Sequence, residues 1–422
     1  MDRDFFAANS VPDDLVLSDL IGKRWSDLSE SQPKPVIDQA RLRKYRQDRL
    51  RAQLERHDCA FVMVVNPVAL RYACDYRNYA LFQSHIPTTY CLIPRNPGEP
   101  RHLYGAYGGD PDVDKVLPGR PISYFDGGDE LAAWAEVLAT DLAEYLAELG
   151  SDNRRIALEY CNPTLVQACE RRGLEVIDGV LITEAARMIK SADEIACMRW
   201  AIAIAQHGID MMARAIQPGV SELQLWALLN YCNLANNGDW HDGRMLASGD
   251  KINPWLQEAN ERKLEAGDLV GFDTDMVGPY GYFADISRTM FCGPGQPSRA
   301  QREVYRLAHA EVTHNMQLVK PGVTFEQFRE QAFVQDEKYW EQAYSCLVHA
   351  VGMCDEAPQI KHIFRGPSPY PGVLEAGMVL CIESYVGAVG ERDGVKLEQQ
   401  VLVTETGYEP LSTYPWDERL LD

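Results

Sequence analysis

The sequence predicts an α+β protein of two domains behind a short N-terminal extension. Three observations predict it. Helix-like and strand-like patterns alternate through residues 36–185. A short motif then recurs about 103 residues apart in the second half. Acidic residues also recur on apolar, strand-like runs of that half, where a solvated carboxylate has no reason to be. The expected boundaries are an extension over 1–35, an alternating α/β domain over 36–185 and a duplicated α+β domain over 186–422.

Each element has its own signal. Residues 1–35 are polar and proline-containing, and are expected to be irregular. The stretch IDQARLRKYRQDRLRAQLERH (37–57) places Leu42, Tyr45, Leu50 and Leu54 on roughly one helical face. CAFVMVVNP (59–67) reads as a buried strand, and TTYCLIPRN and EPRHLYG as two more, joined at NPGE. DELAAWAEVLATDLAEYLAELG (129–150) is a helix stopped by glycine. RRIALEY and LEVIDG return to strand character, and 185–216 reads as one or two helices at the domain junction. The recurring motif is IQPGVSELQL from Ile216 and VKPGVTFEQF from Val319. Each copy follows a helical stretch. Each also sets Ser221 or Thr324 three residues before Gln224 or Gln327, a capping-box pattern. Two such copies suggest two half-domains related by a pseudo-two-fold axis.

Composition narrows the function. A net charge of −21 and a pI near 4.9 argue against a nucleic-acid partner. No apolar run is long enough to cross a membrane. The first residues, MDRDFFAANSVPDDL, have neither a basic nor an apolar signal segment, so a cytoplasmic protein is expected. The 11 cysteines are scattered, with no CxxC pair, as expected of reduced thiols.

The chemistry gathers in GFDTDMVGPYGYFADISRT (271–289). Asp273 and Asp275 lie two apart in an apolar run, a spacing that puts both on one face of a strand. A hairpin through GPYG brings Asp285 opposite. MVLCIESYVG carries Glu383, GVKLEQQVLVTE carries Glu398, and CLVHAVGMCDEAP carries His349 after an apolar run. Like charges on a half-buried sheet are costly without a cation among them. Oxygen-rich ligation with one imidazole suits iron, manganese, cobalt or zinc, and so many carboxylates suggest two bridged metal ions.

This order of Asp, Asp, His, Glu, Glu resembles the pita-bread superfamily of creatinase, prolidase, aminopeptidase P and methionine aminopeptidase. GYFADISRT, EAGMVLCIE, VKLEQQVLVTETGYEPLS and RMIKSADEIACMRWA carry the resemblance, over about residues 36–415. It implies a creatinase-like N-terminal domain, a pita-bread catalytic domain, and metal ligation by Asp273, Asp285, His349, Glu383 and Glu398.

Three departures from the peptidases bear on chemistry. Asp273-Thr274-Asp275 replaces their Asp-x-Gly, which implies Asp275 as an additional ligand. ASGDKINPWLQE, with Trp255, stands where they carry an upstream histidine. Asp355-Glu356 stands where they carry His-Glu. With both helper histidines missing, FDTDMVGPYGYFADISRT, HAVGMCDEAP and GVKLEQQVLVTETGYE look most like the metal-dependent dimethylsulfoniopropionate lyases built on this fold. That resemblance implies β-elimination of dimethyl sulfide from a small zwitterion, leaving acrylate, at two divalent metal ions, iron being expected. It implies Asp355 as the base, Tyr344 as a substrate-contacting aromatic, and Trp25 reaching the site from the partner subunit of a homodimer. Xaa-Pro dipeptidase or aminopeptidase activity, and creatinase-like C–N hydrolysis of a small solute, are the rival expectations. A non-enzymatic binding module is a third, and it would have shed metal ligands that this chain keeps.

Overall fold

A computed structural model describes residues 34–422 other than Asn78 and Tyr160, so the N-terminal extension with Trp25 lies outside the described residues. Two compact units are present, Asp38–Arg187 and one built on Met188–Asp422.

In the first unit the helix Gln39–Arg56 starts at Asp38, whose carboxylate accepts the Arg41 amide, and buries Leu42, Leu50 and Leu54. Six strands form one mixed sheet: β1 (Phe61–Val64), β2 (Tyr90–Pro94), β3 (His102–Tyr104), β4 (Lys115–Leu117), β5 (Arg155–Leu158) and β6 (Glu175–Asp178). Their order is β4-β3-β2-β1-β5-β6. Central β1 is apolar throughout because it is buried along its whole length. Phe61, Leu92 and Ile156 pack there with Leu138 and Leu142 of the helix Leu131–Glu148. Short β4 and the helix Pro67–Cys74 gave no periodic signal.

The junction pattern resolves into two helices, Val180–Arg187 and Ala192–Ala215. A capping box between Ser191 and Glu194 restarts the second.

The second unit is duplicated well beyond the motif seen in the sequence. Ser221 and Thr324 both close capping boxes at the starts of the helices Glu222–Ala235 and Phe325–Gln331. Each cap residue also makes an isolated bridge, Ser221 to Lys263 and Thr324 to Val373. Leu-Glu-Ala-Gly follows in both copies, at 264–267 and 374–377. Gly267 (φ +92°) and Gly377 (φ +90°) turn the chain in a conformation that favours glycine. Their amides donate to Cys292 and Val403 respectively, both at 2.9 Å. Asp273 and Glu383 each lie six residues past their glycine. Two of the acidic site residues are therefore equivalent products of the duplication.

The first half supplies β7 (Leu246–Ser248), β8 (Leu269–Phe272), β9 (Met276–Val277), β10 (Phe283–Ala284) and β11 (Arg288–Phe291). β11, β8 and β7 form one sheet, and β9 pairs with β10. The second half supplies β12 (Val348–Val351), β13 (Asp355–Ile360), β14 (Val379–Gly387), β15 (Gly394–Val403) and β16 (Tyr408–Pro410), in the order β13-β12-β14-β15-β16.

The expected hairpin through GPYG is real but short: β9 pairs antiparallel with β10, Val277 opposite Phe283. The expectation that Asp273 and Asp275 share one strand face is corrected. β8 ends at Phe272, β9 begins at Met276, and Asp275 sits at φ +36°. Thr274 causes the break. Its hydroxyl donates to the Ala284 carbonyl at 2.7 Å and accepts from the Ile286 amide at 3.0 Å, pulling the chain out of strand geometry.

Candidate metal centre

Strand alternation aims one face of β14 and β15 at the site. Cys381 and Glu383 point there from β14, and Lys396, Glu398 and Gln400 from β15, because residues two apart share a face. Glu383 lies directly opposite Glu398, and Cys381 opposite Gln400. On the other side of β14, His349 lies opposite Cys381. Asp273, Asp275 and Asp285 come in from the loops at the ends of β8 and β10. Their carboxylate oxygens lie within 4.8 Å of one another. The kink at Thr274 therefore achieves the convergence that an unbroken strand was expected to give.

His349 joins the groups. Its Nε2 lies 3.0 Å from Glu383, 3.6 Å from Asp285 and 3.9 Å from Glu398. Its Nδ1 lies 3.4 Å from Asp355 Oδ1. Asp355 stands at the rim, its side chain 66% exposed, so the chain itself does not supply the partly desolvated setting expected of the base. Tyr344 is half-buried, its ring beneath the Lys396 ammonium at 4.5 Å from the centroid.

Lys396 and Cys381 belong to the site, and sequence reasoning missed both. Fully buried, the Lys396 ammonium lies 2.9 Å from Asp273, 2.6 Å from Glu383 and 3.4 Å from Glu398, and it donates to Ser287. Each lies two residues before a recognised glutamate, so strand period alone could have found them.

The electrostatics call for further cations. Burial, then the neighbouring Glu398, pushes the Asp285 carboxyl well above the ordinary carboxylate range. Burial, then Asp273 and Asp355, does the same to Asp275. Burial opposes charge on His349, but Asp355 and Glu383 overcome it and raise its pKa. Left to itself, the cluster would hold protons; a divalent cation exchanges with protons at such sites. Asp273 Oδ1, Asp285 Oδ1 and Glu398 Oε1 are buried without a hydrogen-bond partner. An unpaired buried carboxylate oxygen is costly, and a metal ion satisfies it. The donor set therefore fits a metal ion: hard oxygens, one imidazole and more negative charge than one lysine balances.

The fold and this buried Asp/His/Glu cluster define a metalloprotein of the pita-bread class. The sequence pattern of Metallopeptidase family M24 matches residues 196–405. The Xaa-Pro dipeptidase from Bacillus anthracis superposes with a TM-score of 0.68 at 21% identity, covering 88% of this chain and 98% of that one, a likeness of fold. Within that class the chain belongs to the dimethylsulfoniopropionate lyase DddP family. It is 36% identical to dimethylsulfoniopropionate lyase DddP of Roseovarius nubinhibens over 397 residues, 91% of this chain and 88% of the relative. It is 34% identical to that of Roseobacter denitrificans over 401 residues, with the same coverage. Among the described residues no helix is long and apolar enough to cross a membrane.

Proposed function

We propose that this protein is a metal-dependent dimethylsulfoniopropionate lyase that releases dimethyl sulfide and acrylate by β-elimination. The observation that carries the reading is the likeness to two such lyases along 91% of the chain. The site supports it with an intact carboxylate cluster and with Asp355 in place of a helper histidine.

Asp273, Asp275, Asp285, His349, Glu383 and Glu398 would hold two divalent metal ions, proposed to be iron. A bound metal ion neutralises the substrate carboxylate and makes the adjacent C–H more acidic. Asp355 takes that proton. The C–H electron pair becomes the double bond of acrylate, and the C–S pair leaves with sulfur. The sulfonium departs as neutral dimethyl sulfide and needs no acid, which fits a chain with Trp255 and Asp355 where the peptidases carry histidines. Asp355 lies 3.4 Å from His349 Nδ1 with its side chain largely exposed, and bound substrate would have to supply the desolvation that a carboxylate base needs.

The substrate's cationic end would meet aromatic faces. Tyr344 already holds an ammonium against its ring, which supports such a role. Trp25 is proposed to arrive from a partner subunit, which would make a homodimer necessary for a complete site. A cytoplasmic location is part of the same reading. The match to Metallopeptidase family M24 keeps Xaa-Pro hydrolysis as the second reading. Headspace detection of dimethyl sulfide from purified protein, run beside a Xaa-Pro dipeptide assay, decides between them. Dipeptide cleavage without dimethyl sulfide would reject the lyase.

A further inference from the structure

Asp355 is the first residue of β13, and strand pairing alone holds it weakly. The pairing of β12 with β13 shifts register between His349 and Ala350. Past that shift two pairs remain before the chain turns, Ala350 with Glu356 and Val351 with Asp355. A base on so short a hairpin end needs further support, because proton transfer depends on where the accepting oxygen stands.

The neighbour of Asp355 supplies it. Successive residues of a strand face opposite ways, so Glu356 turns inward where Asp355 turns outward. The Glu356 side chain is fully buried, while that of Asp355 is largely exposed. Glu356 Oε1 accepts the Met353 amide at 3.1 Å, across the hairpin tip. Its Oε2 accepts from the Lys190 ammonium at 2.8 Å. Lys190 is 166 positions away in sequence, in the junction motif RMIKSADEI, for which the metal centre has no use. Lys190 is itself held in place. Its amide donates to the Gly377 carbonyl at 2.9 Å, and the next residue, Ser191, caps the helix Ala192–Ala215. The tip is also packed down on the carboxylate: a β-carbon at Gly352 would lie 2.5 and 2.6 Å from the two Glu356 oxygens.

We propose that Lys190 and Glu356 are positioning residues, whose buried ion pair ties the β12–β13 tip to the start of the helix Ala192–Ala215 and so holds Asp355 in place beside His349 Nδ1. A buried ion pair adds little net stability over apolar side chains of similar size, so the use of this one is the geometry it fixes. The proposal rests on Asp355 as the base of the proposed elimination, but the placement it explains can be measured without turnover.

The test variant is Lys190→Met with Glu356→Gln. It removes the pair without stranding a buried charge, and it keeps an acceptor for the Met353 amide. Its crystal structure should show Asp355 displaced from His349 Nδ1 by about 1 Å or more. Misplacement of that size costs on the order of 10²-fold in rate. The kcat for dimethyl sulfide release should fall by that order, while KM and metal content hold. In an Asp355→Asn background the same two changes should cost less than about threefold, since residues that act through one group are not additive. Gly352→Ala is a second route, because its β-carbon pushes the carboxylate off Lys190 with both charges still present. It should give a loss of the same kind, equally dependent on Asp355, and it carries each measurement if the double variant does not fold. An unmoved Asp355 in the variant structure would overturn the proposal whatever the reaction. An equal fold-loss with and without Asp355 would overturn it too, by showing a general effect on the fold. Wild-type protein with full metal and no dimethyl sulfide would instead reject the lyase reading, and the variant structure would still decide the placement.

Discussion

The Lys396 ammonium lies 2.6 Å from the Glu383 carboxylate, with both groups buried. It is the fixed positive charge among five carboxylates, and it gives the cluster partial compensation before any ion arrives. Removing one side of a buried ion pair costs about 3–5 kcal/mol, because the other charge is stranded. Lys396→Met should therefore lower the thermal midpoint of metal-stripped protein by on the order of 10 °C. Divalent ions would replace part of the missing charge, so the metal-loaded variant should lose much less. Equal losses with and without metal would show that Lys396 does not share its carboxylates with an ion.

Asp285 belongs to both groups of converging side chains, Asp273 with Asp275 and His349 with Cys381 and Glu398. Asp285→Ala should empty at least one metal position and abolish turnover, with metal content read by elemental analysis. Full metal content in this variant would refute the ligand assignment.

Stability should also carry a pH signature from a residue outside the proposed ligand set. Glu311, on the helix Arg299–Gln317, is fully buried. It accepts hydrogen bonds from Ser384 and Gln335, and its other oxygen faces His362 at 3.9 Å. Burial outweighs those bonds and pushes its carboxyl up to about 7. Between its ordinary value of 4.5 and about 7, the folded protein keeps a proton that the unfolded chain has lost. The contribution is therefore full below that window and declines as pH rises through it, by on the order of 3 kcal/mol in all. Glu311→Gln is uncharged throughout and should flatten the decline. Its denaturation midpoint should gain on the wild type at pH 8 and differ little at pH 4. A constant difference across that range would reject the assignment.

The sequence made some of this legible and not the rest, for physical reasons. Long elements with a strong period were readable, such as the helix at 39–56 and the strands carrying Glu383 and Glu398. The duplication was read only from its Pro-Gly-Val turns and capping boxes, although the repeated Leu-Glu-Ala-Gly also lies in the sequence, and the bridges from Ser221 and Thr324 leave no local pattern. The kink between Asp273 and Asp275 was not readable, because it depends on Thr274 bonding to residues ten and twelve positions away. Lys396 and Cys381 were overlooked for another reason. A lysine on an apolar strand reads as an edge residue, and a cysteine reads as a small hydrophobe. Only pairing with Asp273 and Asp285 shows that both face a charged site. The exposure of Asp355 was equally hidden, since its residue type says nothing about which side of the His349 ring it occupies.

Asp355 is the residue on which the proposed reaction turns. Asp355→Asn keeps the size of the side chain and its contact with His349 Nδ1, but an amide cannot accept the substrate proton. Loss of a general base typically costs about 10²- to 10⁴-fold in rate. Asp355 is outside the proposed ligand set, so metal stoichiometry should not change. Its side chain is largely exposed, so the thermal midpoint should hardly move. Substrate binding should survive, since neither the metal ligands nor the aromatic faces are touched. A ligand at this position would behave differently, with metal and rate falling together. A residue that merely braces the imidazole would lower the midpoint and leave turnover per folded molecule nearly intact. Elimination rate, metal content and thermal midpoint of one variant thus separate the three roles. The expected outcome is a collapsed rate with the other two preserved, and a rate within about threefold of wild type would remove Asp355 as the base.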